Sequence, residues 1–177
     1  MRQIVLLRGI NLGATNRIAM PRLRDALGGA GFDDVRTYLQ SGNIVLASEL
    51  GADALARHCK RLIADEFGLD IDVVVRTRAE LATVVRRNPL GEVATDPKRY
   101  QVSFLARKLP AQALARLEAA VVPPEQLVAL GRELYAWHPN GVARSRLWTQ
   151  LAGKQLGVVA TARNWTTVTS LLELAGA

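Results

Sequence analysis

The chain has 177 residues, 49% of them hydrophobic, and carries a formal net charge of +7. That balance excludes an intrinsically disordered chain, and the single cysteine, Cys59, excludes an internal disulfide. No apolar run is long enough for a bilayer span, so the expected setting is the reducing cytoplasm without a membrane partner.

Ile4 to Leu7 is a continuous apolar run, the pattern of a central strand covered on both faces. Arg8 breaks the run and no small-residue cleavage pattern follows, so this start is a strand rather than a secretory leader. The loop from Arg8 to Arg17 contains Gly9, Asn11, Gly13 and Asn16, residue types that accept unusual backbone angles. Pro21 suits a first helical turn, and Met20, Leu23, Leu27 and Ala30 form an apolar stripe that Gly28, Gly29 and Gly31 terminate.

Val35 to Gln40 and Ile44 to Ala47 read as two strands joined by Ser41-Gly42-Asn43. A helix over Ala52 to Phe67 follows, with Leu55, Cys59, Leu62, Ile63 and Phe67 on one face and Gly68 closing it. Ile71 to Arg76 is a valine-rich strand. The order β-α-β-β-α-β is that of a ferredoxin-like unit. A helix over Arg78 to Arg87 then leads to the turn Asn88-Pro89-Leu90-Gly91.

The second half begins a similar cycle. Tyr100 to Ala106 is a strand, Pro110 opens a helix, and Val121-Val122-Pro123-Pro124 is a break. Gln126 to Leu130 and Glu133 to Trp137 pair around Gly131-Arg132. Ser145 caps a helix containing Leu147 and Leu151, and a final helix runs from Asn164 to Ala175. The predicted fold is therefore α+β: a ferredoxin-like lobe over residues 1–90 and a second, smaller α+β lobe over 91–177. The boundary is expected near Asn88 to Asp96. The first lobe's strands look apolar on both faces, so the two lobes are expected to pack together.

Four stretches carry a family resemblance: Leu6 to Gly13 (LLRGINLG), Thr37 to Val45 (TYLQSGNIV), Val102 to Leu105 (VSFL) and Ala160 to Val168 (ATARNWTTV). In this order and spacing the chain resembles the bacterial domain-of-unknown-function family 1697 (DUF1697) over essentially its whole length. The resemblance implies two α+β lobes, the first ferredoxin-like, and no established activity. The chain departs from the family pattern at Lys154-Gln155-Leu156-Gly157, where an acidic residue is expected.

In a ferredoxin-like unit the first two strands run the same way, so the loop after the first and the turn after the second leave the sheet at one end. Arg8, Asn11, Gly13, Asn16, Arg17, Ser41 and Asn43 should therefore be neighbours. The first helix starts there too, with unpaired N–H groups and a partial positive charge. Together these have the composition of an anion or phosphate site, without the spacing of a Walker loop or a dinucleotide fingerprint. Arg163 could reach a ligand from the first turn of the last helix. The alternative is structural: the glycines and asparagines make turns, Arg8 pairs an acid, and Arg163-Asn164-Trp165 is a helix cap with a packed aromatic.

No metal-ligand spacing, nucleophile elbow or carboxylate pair is present, and no motif names a cofactor. His58 is expected to face solvent and His138 to bond locally. The two central strands of the first lobe lack aromatics, which removes the base-stacking mode of nucleic-acid binding. Three readings stand. The first is a module binding a small anionic or phosphate-bearing ligand, in a cleft between the first lobe's loops and the second lobe. The second is a nucleic-acid-associated protein touching phosphates through scattered arginines. The third is an enzyme using Arg8, Ser41 and Asn43 on a phosphate or carbonyl group.

Overall fold

The computed structural model describes residues 1–177 and shows an α+β protein with two four-stranded antiparallel sheets. Two compact units emerge: Met1–Ala82 together with Leu171–Ala177, and Thr83–Ser170.

The first unit contains β1 (Arg2–Leu7), α1 (Met20–Gly29), β2 (Asp33–Tyr38), β3 (Asn43–Ala47), α2 (Ala52–Phe67), β4 (Val73–Thr77) and the start of α3 (Arg78–Arg87). Its sheet order is β2-β3-β1-β4. Strand β1 is antiparallel to both neighbours, with Val5 opposite Ile44 and Val75. Since β2 is antiparallel to β3, strands β1 and β2 run in the same direction. This is the ferredoxin-like arrangement.

The core follows from side-chain period. Val5 and Leu7 of β1 pack with Met20, Leu23 and Leu27 of α1 and with Leu55, Cys59 and Ile63 of α2. Each fully buried leucine contributes about 1.5–3 kcal/mol. Ile4 and Leu6, on the other face of β1, are equally buried. Ala30, expected to extend the α1 stripe, is exposed, because the helix ends at Gly29. Helix α2 stops where Gly68 turns left-handed at φ 67°, a conformation glycine adopts without a Cβ clash.

The second unit contains β5 (Tyr100–Leu105), α4 (Ala111–Ala120), β6 (Gln126–Leu130), β7 (Glu133–Trp137), α5 (Arg146–Ala152), β8 (Ala160–Asn164) and the start of α6 (Trp165–Gly176). Its order, β6-β7-β5-β8, repeats the connectivity of the first sheet. The sequence pattern does not announce β8, and its last residue, Asn164, stands at the start of the expected final helix. The segment is a true strand, pairing Gln101 with Asn164 and Leu105 with Ala160. With β8 included, this unit is a second complete β-α-β-β-α-β. Asn164 closes the strand and caps α6, its Oδ1 accepting from the Thr167 N–H at 2.9 Å. Trp165 stacks on Tyr100 at 4.8 Å between ring centroids.

The last turn of α6 belongs to the first unit. Guanidinium groups of Arg2 and Arg36 donate to backbone carbonyls there, including those of Ala175, Leu174 and Ala177. Arg2 and Arg36 also share Asp34, at 2.9 and 2.8 Å. No helix is long and apolar enough to cross a membrane.

Candidate functional site

The loop after β1 is built by its own backbone. The Asn11 N–H donates to the Asn16 carbonyl at 3.0 Å, and both the N–H and hydroxyl of Thr15 donate to Leu12 O. Closing so tight a loop requires left-handed residues, and Asn11, Gly13 and Asn16 have φ of 52°, 60° and 50°. The Asn16 amide donates back to Gly9 O at 3.1 Å.

Asn11 joins the two connections. Its side-chain amide donates to Ile18 O at 2.9 Å and to Gln40 O at 2.7 Å, while its Oδ1 accepts from the Ile18 N–H at 2.9 Å. Gln40 lies in the β2–β3 turn. That turn is fixed from inside by Asn43, wholly buried, whose amide donates to Tyr38 O and Ser41 Oγ, each at 2.9 Å. Gly42 completes the seam: its carbonyl accepts from the Leu7 N–H at 2.9 Å, and a Cβ there would lie 2.6 Å from Leu7 Cβ.

The cations differ in freedom. Arg8 reaches Asp72 at 3.9 Å, but Asp72 is held more closely by Lys60 at 2.9 Å. Hydrogen bonds to Asp72 and Asp70 raise the Lys60 pKa accordingly. Arg17 is exposed and makes no hydrogen bond or ion pair. Three residues later α1 begins without a side-chain cap and without an acidic residue in its first turn. Its partial positive charge is therefore unopposed locally.

Arg8, Asn11, Gly13, Asn16, Arg17, Ser41 and Asn43 thus come together at one end of the first sheet. Within that set the asparagine amides hold the loops, and Arg17 points no donor at the protein. Arg163 is placed differently from expectation. It lies in β8 of the second unit, not on a helix, with 7% of its surface exposed. Its guanidinium donates to Thr161 Oγ1 at 2.7 Å and Ala162 O at 2.8 Å. Burial lowers its pKa to about 10.

A second polar cluster escaped the sequence reading. His138 is fully buried, with Nδ1 2.7 Å from Glu125 Oε2. Ser145 Oγ donates to the same oxygen at 2.5 Å and accepts from the Trp148 N–H at 3.0 Å, capping α5. Burial raises the Glu125 pKa, but the hydrogen bonds from Ser145 and His138, with the charge of the imidazole, outweigh it and leave the carboxyl below its ordinary range. The three residues are 13 and 20 positions apart in sequence, so no local motif announces them.

Comparison with known proteins gives a family and a fold. A family model described as "Protein of unknown function (DUF1697)" matches residues 1–135. The fourth stretch of the resemblance, Ala160 to Val168, lies outside that match. No curated protein matches the chain. Among solved structures, the conserved bacterial protein SP0830 from Streptococcus pneumoniae is similar over 98% of each chain, with a TM-score of 0.79 and 22% sequence identity. At that identity the likeness speaks to the fold alone.

Proposed function

The chain belongs to the DUF1697 family of proteins of unknown function, and we propose that its β1–α1 loop and β2–β3 turn bind a small anionic or phosphate-bearing ligand. The observation that carries this reading is Arg17: an exposed, unpaired guanidinium on a loop held in place by Asn11, beside an uncapped helix start. An arginine so placed keeps its donors for something other than the protein, and its planar fork suits carboxylate and phosphate oxygens. Arg8, whose acidic partner is already shared with Lys60, supplies a second cation. Asn11, Asn16, Ser41 and Asn43 act as positioning residues, and Gly13 keeps the loop tip free of side chain. The lone buried thiol of Cys59 suits the reducing cytoplasm.

The test is thermal stability of the native protein with and without sulfate, phosphate and nucleotides. At least one of these should raise the melting temperature. Arg17→Ala should abolish that rise without changing unliganded stability, because the exposed side chain has no hydrogen bond or ion pair to lose. An anion response that survives Arg17→Ala, or no response in the wild type, would reject the site.

A further inference from the structure

We propose that the Thr83–Ser170 unit holds a second, independent site that takes a small zwitterion with the chemistry of an apolar α-amino acid: an ammonium group on Glu125, a carboxylate on Arg144, and an apolar side chain against Val122 and the adjoining prolines. The geometry begins with a cavity of about 460 Å³ between the segment Val122–Glu125 and the loop Asn140–Ser145. That volume is within the range of small-molecule sites, roughly 300–1,000 Å³.

Its walls divide by chemistry. Val122, Pro123 and Pro124 form an apolar side, and Val122 is 52% exposed, high for a large aliphatic residue. Glu125 stands where that segment ends, with only 11% of its side chain exposed. The same cavity is lined by Asn140 and Arg144, both exposed and neither making a side-chain hydrogen bond or ion pair.

Glu125 is a preformed anion. A carboxylate offers about four lone-pair sites. Ser145 and His138 occupy sites on Oε2, and the Val122 N–H is the third donor close to the carboxylate. One site is left for a ligand donor, and the groups behind Glu125 hold it in one orientation. His138, fully buried and packed edge-on against Trp148 at 5.8 Å, cannot swing away without opening the unit. One fixed acid and one unpaired guanidinium lining the same cavity match a ligand with both charges. The apolar wall selects among such ligands for one with a hydrocarbon side chain.

L-leucine and L-phenylalanine are suitable probes, titrated into the full-length protein with chemical-shift changes read at Glu125, Asn140, Arg144 and Trp148. Saturable shifts are expected there for at least one of them. N-acetyl-L-leucine, which lacks the ammonium, and L-leucine methyl ester, which lacks the carboxylate, should bind about tenfold or more weakly, as should the wild-type ligand to Arg144→Ala. Arg144 is exposed and unpartnered, so that variant folds normally, whereas Glu125→Gln disturbs the network and serves only as a second check. Phosphate should not compete, which separates this site from the loop site. Absence of shifts with both amino acids, or binding of either blocked analogue as tight as that of the free amino acid, overturns the proposal.

Discussion

The side-chain amide of Asn11 donates to the backbone carbonyl of Gln40 at 2.7 Å, tying the connection after β1 to the turn after β2 across 29 residues of sequence. The same side chain makes two further hydrogen bonds to Ile18. Asn11→Ala removes all three and leaves a non-glycine residue at φ 52° without the local bonding that favours asparagine there. A loss of about 1–3 kcal/mol is expected in urea unfolding. Asn11→Asp retains only the acceptor and should fall between wild type and alanine. A neutral Asn11→Ala variant would show that the two connections do not depend on this residue.

Gly42 and Gly9 separate backbone strain from crowding. Both have positive φ, 81° and 66°, but an added Cβ meets Leu7 Cβ at 2.6 Å in the first and nothing within 4 Å in the second. Gly9→Ala should cost about 1–2 kcal/mol, the left-handed penalty. Gly42→Ala adds overpacking of about 1–3 kcal/mol. Equal losses in denaturant melts would contradict the close seam between β1 and the turn.

Cys59 should be inert in the folded protein. It is 1% exposed in the α2 face of the core, and burial pushes its thiol pKa up to about 12. At pH near 8 little thiolate forms, and the reactive species is the thiolate. Labelling by a thiol reagent should be slow in the native state and fast in denaturant. Rapid native labelling would place Cys59 outside the core.

Glu125 should make the protein sensitive to acid. Its folded pKa lies below the ordinary 4.5. A carboxyl whose folded pKa is lowered stabilises the fold at pH above its unfolded value, and this contribution disappears as pH falls through the folded value. Between about pH 6 and pH 3, spanning the usual carboxylate range, wild type should lose more stability than Glu125→Gln. Parallel curves would mean that the Ser145 and His138 bonds do not favour the ionised carboxyl.

Much of this architecture is written in local pattern. The apolar run of β1, the stripe of α2 and the glycine after it are each dictated by neighbours a few residues away, and each is where the pattern puts it. Strand β8 was illegible because Ala160-Thr161-Ala162-Arg163-Asn164 has no run of large β-formers; it becomes a strand by pairing with β5. Arg163 was misplaced with it. The site reading has the same limit. Topology alone brings the Arg8–Arg17 loop to the Ser41–Asn43 turn, but which polar groups point inward depends on contacts such as Asn43 to Tyr38 that spacing does not encode. The meeting of Glu125, His138 and Ser145 is wholly a product of tertiary structure.

The anion site is tested most directly by following backbone amide resonances while inorganic phosphate is titrated into the native protein. Saturable shifts are expected, confined to residues 8–22 and 39–43 and lost in Arg17→Ala while the rest of the spectrum is unchanged. Shifts spread evenly over the basic surface, or a saturable response that persists without Arg17, would contradict it.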